Sequence, residues 1–222
     1  MVKSYLLKAA AAVFIGGLLF SCSGATVEVV DKSFNEEAPE RYKLNVESSL
    51  YTSADADLNA ALTPLNDSLT ALMSSYVENF TEGINFMKDS MEVESSFVGE
   101  LTVKDTVYSA TEDLVSVKYT VYEYTGGAHG NTVSIALNYS PKEKKFIEKD
   151  QLFKVEKSVV DSLLQSRFVN TDSLYYGVPT VDVASSVNVA GNEVIFVYDR
   201  YVLGPYSAGE VEIKLPVAEL GL

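Results

Sequence analysis

The sequence predicts an α+β fold, a mainly antiparallel sheet packed with helices, in two closely joined subdomains. Two observations lead there. Strand patterns run through 41–51, 92–108, 114–124 and 132–139, and return at 181–189, 194–198 and 210–215. Helical spacing occupies 55–80 and 155–168, so strands follow strands instead of alternating with helices as a parallel, doubly wound sheet requires.

Each element has its own signature. Tyr42, Leu44 and Val46 share one face of the first strand, with Lys43, Asn45 and Glu47 on the other. Leu65, Leu69, Leu72, Tyr76 and Phe80 recur at helical spacing and form one apolar stripe. Thr63-Pro64 reads as an N-cap followed by proline at the first helical position, so the main helix is expected to begin there after a shorter turn. Val115, Val117, Tyr119 and Val121 then alternate with Ser116, Lys118, Thr120 and Tyr122. A glycine-rich interruption, Thr125 to Asn131, precedes the strand Thr132 to Tyr139, and the pair reads as an elaborated hairpin. In the second helix Val159, Val160, Leu163, Leu164 and Phe168 line one face. Ala190-Gly191-Asn192-Glu193 is a hairpin turn between later strands.

The N-terminus carries a different signal. Lys3 and Lys8 precede an apolar or small run, Ala9 to Phe20, of signal-peptide length, shorter than the roughly 20 residues a spanning helix needs. Leu18-Leu19-Phe20-Ser21-Cys22 resembles a lipobox, which implies cleavage before Cys22 and lipid attachment to its thiol. An ordinary signal peptide with an incidental cysteine is the alternative. Two acyl chains anchor a protein stably, where one chain binds marginally. Cys22 is the single cysteine of the chain, so its acylation leaves no thiol for a disulfide, a metal site or a nucleophile. The organisation expected is a signal peptide at 1–21, a flexible tether at 22–40, and subdomains at 41–105 and 106–222.

Loss of the signal removes Lys3 and Lys8 and no acid, leaving 15 basic against 31 acidic side chains. That balance argues against nucleic acid as a partner and against adhesion to anionic lipid. It suits a cationic partner, and equally serves plain solubility.

Two loops stand out. In Tyr124-Thr125-Gly126-Gly127-Ala128-His129-Gly130, the lone histidine of the chain sits among glycines that permit positive φ. His129 reads as a base, a binding residue, or a structural group bonded across its own loop. It has no second histidine or cysteine for a usual zinc site, and no metal or other cofactor is expected. Tyr198, Tyr201 and Tyr206, with Arg200 between them, form the second loop, suited to a rigid binding face or to packing on the sheet. The candidate binding residues are Tyr124, Gly126, Gly127, His129, Tyr198, Arg200, Tyr201 and Tyr206. No GxSxG elbow, HExxH motif, P-loop, dinucleotide fingerprint or EF-hand loop is present.

These loops carry a resemblance. Tyr124-Thr125-Gly126-Gly127-Ala128-His129 after a strand is similar to the Y-x-G-G-A-H signature of a bacterial extracytoplasmic domain of unknown function. Phe196-Val197-Tyr198-Asp199-Arg200-Tyr201, Gly204-Pro205-Tyr206-Ser207-Ala208-Gly209 and Val211 to Pro216 continue the pattern in order. The domain forms the C-terminal half of RsiV-type anti-sigma factors and accompanies PdaC-type deacetylases. In both, a smaller α/β domain precedes it, similar in outline to 41–105 here. The resemblance implies an α+β module without catalytic residues of its own. Its partner would be a cationic protein of the lysozyme kind or peptidoglycan. The chain has no sigma-binding segment and no deacetylase domain, so neither activity is implied. The expected function is that of a lipid-anchored, extracytoplasmic binding protein of the cell envelope. An envelope hydrolase acting through His129 and a structural or assembly lipoprotein are the alternatives.

Overall fold

The computed structural model describes residues 25–90, 97–171 and 173–222. The signal-like segment and the lipid attachment at Cys22 lie outside the described residues. Among these, the chain builds a six-stranded sheet in the order β1 to β6 and a three-stranded sheet in the order β7 to β9.

The first sheet contains β1 (Glu28–Ala38), β2 (Tyr42–Thr52), β3 (Gly99–Ala110), β4 (Val115–Tyr124), β5 (Asn131–Ser140) and β6 (Lys145–Phe146). The β2–β3 pair is parallel and the other pairs are antiparallel. Parallel neighbours need a crossover, and here it contains α1 (Ala56–Ser90). The amphipathic stripe predicted for this helix is present and longer than expected. Leu58, Leu62, Leu65, Leu69, Met73, Phe80 and Ile84 are buried against the sheet. The helix does not start at Pro64. Asp55 caps it, its Oδ1 accepting the Leu58 amide at 2.8 Å, and Pro64 lies inside. Burial of Ala61, Leu62 and Leu65 around the proline outweighs the missing N–H.

The predicted tether at 22–40 is corrected in its second half. Residues 28–38 form β1, paired with β2 along their whole length. Val30, Phe34 and Ala38 are its half-buried positions and its remaining residues are exposed. A strand at the sheet edge needs little apolar content when backbone pairing holds it.

The second layer contains α2 (Lys157–Arg167), β7 (Ser186–Ala190), β8 (Glu193–Tyr198) and β9 (Val211–Pro216). Val160 and Leu164 of α2 join Val187, Phe196, Tyr198, Ile213 and Leu215 in a second core. The strand predicted over 181–189 is shorter than expected, since 181–183 form a turn held by the Val181 amide on Asp161. The two expected subdomains share a strand at their boundary between 105 and 106. That boundary falls inside β3, which pairs with β2 and β4; the first core runs to Tyr139 and the buried residues of the second begin at Leu152.

A buried polar network joins the layers. Ser116 Oγ donates to Asn138 Oδ1 at 2.6 Å and accepts from Asn188 Nδ2 and the Val189 amide. Asn138 Nδ2 donates to the Val187 carbonyl, and Asn188 Nδ2 also reaches the Val117 carbonyl at 3.0 Å. The polar face of β4 is covered here by β7.

Candidate functional site

The glycine-rich loop between β4 and β5 is shaped by close approach. Gly126 and Gly127 hold φ of 101° and 94°, the left-handed region that favours glycine. A Cβ on Gly130 would sit 2.5 Å from the Tyr122 ring. Tyr124 donates its hydroxyl to the Gly127 carbonyl and meets Phe97 edge-on, which holds the start of the loop.

His129 Nδ1 lies 3.0 Å from the Gly130 carbonyl. A carbonyl cannot donate, so that bond needs the proton on Nδ1. Nε2 of the neutral ring is then an acceptor, and Tyr201 Oη donates to it at 3.3 Å. Tyr206 stacks on the imidazole, with centroids 3.8 Å apart and planes 19° from parallel. The Arg200 guanidinium sits 5.1 Å from the Tyr206 ring centroid. The structure thus brings His129, Arg200, Tyr201 and Tyr206 together from two loops far apart in sequence.

Two carboxylates pin the second loop to the first sheet. Asp199 Oδ2 accepts the Ser134 amide at 2.8 Å, and Asp199's own amide donates to Ser185 Oγ. Glu210 pairs with the nearly buried Lys118 at 3.7 Å. Tyr201 is held at φ 72°, an uncommon conformation for an aromatic residue that costs about 1–3 kcal/mol. Its ring stays half exposed to solvent. Tyr176, absent from the sequence-level candidates, extends this surface. It is 70% exposed and donates its hydroxyl to the Gly204 carbonyl.

Tyr198 does not belong to the face. It is fully buried, its hydroxyl donates to the Thr180 carbonyl, and burial raises its pKa. Its place in the second core explains its presence in the sequence pattern.

Under the His129 loop, on the helix side of the sheet, lies a cleft of about 270 Å³. Val121 and Val133 give it apolar surface, and Thr125, His129 and Asn131 give it polar groups. Tyr76 of α1 and Glu123 of β4 complete it. Burial pushes the Tyr76 phenol upward, and the charge of Glu123 adds to the shift. Neither residue was a sequence-level candidate, because a helix and a strand bring them together. A wider depression of about 570 Å³ lies over Asn35, Lys43, Asn45, Glu100 and Thr102, but it is open and Lys43 already pairs with Glu37.

The geometry bears on catalysis. A histidine base is normally oriented by a carboxylate on one nitrogen and faces a nucleophile on the other. Here one nitrogen meets a backbone carbonyl and the other a phenol. Among the described residues, no three His, Cys, Asp or Glu side chains converge as a metal site.

Fold and site together define an α+β domain with an aromatic face and a small cleft. The chain belongs to the family described as Deacetylase PdaC, whose model matches residues 21–132. It is 26% identical over 101 residues to the peptidoglycan-N-acetylmuramic acid deacetylase PdaC of Bacillus subtilis, a match covering 44% of this chain and 21% of that protein. The chain therefore spans about a fifth of the length of that curated relative. Two solved structures share the fold at 17% identity. A DUF3298 family member from Bacteroides fragilis superposes with a TM-score of 0.61, covering 87% of this chain and 91% of that one. A DUF3298 family protein from Pseudomonas aeruginosa superposes with a TM-score of 0.56, covering 89% and 93%. The family match crosses the boundary expected at 105, as the continuous sheet does.

Proposed function

We propose that this chain is a non-catalytic binding module of the bacterial cell envelope, held to a membrane by lipid on Cys22, and that it engages wall glycan. In this reading residues from 106 onward act as an RsiV-like domain. The observation that carries the proposal is the stack of His129 on Tyr206, with Tyr201 half exposed beside it and Arg200 over the Tyr206 ring. Sugar rings present flat C–H faces that pack on aromatic rings, with hydroxyls left for polar partners at the edge. The relative's name supplies a consistent setting, since peptidoglycan is the substrate of that deacetylase. A cationic protein of the lysozyme kind is the second reading, favoured by the net charge of −14 on the full sequence.

Co-sedimentation of the full chain, purified in detergent, with insoluble peptidoglycan tests the face. Tyr201→Ala with Tyr206→Ala should abolish pelleting while the thermal transition stays cooperative. Undiminished pelleting of the double variant would remove these rings from the function. Salt-sensitive capture by lysozyme without glycan binding would transfer the proposal to the second reading. The anchor has its own test, incorporation of a clickable fatty acid in cells, which Cys22→Ser should eliminate.

A further inference from the structure

We infer that the cleft between α1 and the Thr125–Gly130 loop is a subsite for an amino sugar whose nitrogen is a free ammonium, with Glu123 as its counter-ion. The inference rests on the glycan reading above and deepens it.

Glu123 is half-buried, and among the described residues its carboxylate makes no ion pair and no hydrogen bond. Other acids near lysine or arginine are paired, as Glu47 is with Lys104 and Glu210 with Lys118. A partly desolvated carboxylate without a cation is unfavourable, and a ligand ammonium would relieve it. Tyr76 lines the same cleft, and its phenol, pushed upward first by burial and then by the charge of Glu123, is a hydrogen-bond donor there. Its ring also offers a π face to a cation.

The remaining walls select a sugar ring over a simple amine. Val121 and Val133 suit the apolar face of a pyranose, and Thr125 and Asn131 suit its hydroxyls. The volume of about 270 Å³ lies just below the roughly 300–1,000 Å³ of drug-sized sites, which suits a single ring. An N-acetyl group would replace the ammonium by a neutral amide and set a methyl group against the carboxylate. His129 lines the cleft and also stacks on Tyr206, so the subsite continues into the aromatic face. A lysine side chain carries the same ammonium but has no hydroxyls for Thr125 and Asn131.

The test is calorimetric titration of the full chain in detergent with β-1,4-linked glucosamine oligomers and N-acetylglucosamine oligomers of equal length, at a pH where the amine is charged. The glucosamine oligomer should bind about tenfold tighter, the factor that corresponds to about 1.4 kcal/mol. Glu123→Gln keeps the shape of the side chain and should erase that preference without lowering the melting temperature. Equal affinity, preference for the acetylated oligomer, or preference retained in Glu123→Gln would overturn the inference. A lysine tetrapeptide binding as tightly as the glucosamine oligomer would overturn the choice of sugar. Failure of both oligomers to bind would overturn the subsite. Peptidoglycan pelleting that still depends on Tyr201 and Tyr206 would then show that the wider reading survives without it.

Discussion

Replacing Asn188 with alanine tests whether the two sheets are locked together by their polar network. The side chain is fully buried, and its Nδ2 donates to Ser116 Oγ at 3.1 Å and to the Val117 carbonyl at 3.0 Å. Losing two bonds to buried acceptors costs about 1 kcal/mol each. The space left by the amide adds about 1 kcal/mol. Against this, Asn188 Oδ1 is buried with no hydrogen-bond partner, and deleting it returns about 1 kcal/mol. The net expectation is a loss of about 2 kcal/mol. Urea unfolding reads it, followed by tyrosine fluorescence, since the chain has no tryptophan, and by far-ultraviolet circular dichroism. With a slope of about 2 kcal/mol per molar, the midpoint should fall by about 1 M at constant slope. Asn45→Ala is the control, because Asn45 bonds Glu47 only at the surface and at 3.4 Å. A midpoint for Asn188→Ala as close to wild type as the control would refute the network's role. Separate transitions from the two probes would instead show that apolar contact alone fails to couple the layers once the network is cut.

Two further perturbations follow from burial and backbone. Burial holds the Asp105 carboxyl above its ordinary pKa against the pull of a Ser49 hydrogen bond, and the charge of Asp31 adds a smaller upward push. A raised carboxyl contributes stability below its unfolded value of about 3.9 and loses it as pH rises through the folded value. Asp105→Asn should therefore raise the melting temperature at neutral pH and flatten its dependence above about pH 4; parallel profiles for the two proteins would show the carboxyl is not strained. Gly130→Ala drives a methyl into the Tyr122 ring and should cost about 1–3 kcal/mol with loss of glycan pelleting. Gly127→Ala meets no atom within 4 Å and should cost only the strain of its φ, about 1–2 kcal/mol, with glycan pelleting kept, so pelleting lost equally in both variants would contradict the packing argument.

Much of the fold is legible in the sequence because burial there is one-sided. Val115, Val117, Tyr119 and Val121 alternate and are buried as expected, and the α1 stripe emerges from simple spacing. Strand β1 was illegible because an edge strand held by backbone bonds has little apolar periodicity, and its three half-buried residues recur every fourth position as a helix would have them. The cover over the polar side of β4 was illegible too, since Ser116 is satisfied by Asn188 and Asn138 from elements that sequence spacing cannot place beside it. The aromatic loop was legible as chemistry, but its composition did not separate Tyr198, which points into a core, from Tyr201 and Tyr206. Glu123 and Tyr76 carried no local signal at all. One reads as a polar residue ending a strand and the other as part of a helix stripe, and only tertiary packing makes them neighbours.

Strand β1 also acts as a measure of distance. It begins at Glu28 opposite Thr52 and ends at Ala38 opposite Tyr42. Tyr42 lies beside Gly99, and Glu100 beside Tyr124, so the Ala38 end of the sheet is the end that carries the His129 loop. Eleven residues at about 3.3 Å each make a stand-off of roughly 35 Å. Ser53 Oγ already holds the Thr26 carbonyl, so under the proposed lipid attachment only residues 23–25, at most about 3.5 Å apiece, would separate Cys22 from that held point. A chain anchored in that way would sit with its base close to the bilayer and its aromatic face at the far end. The reach into the wall would then be set by the rigid length of the sheet, and lengthening the linker before Thr26 would add wobble more than range.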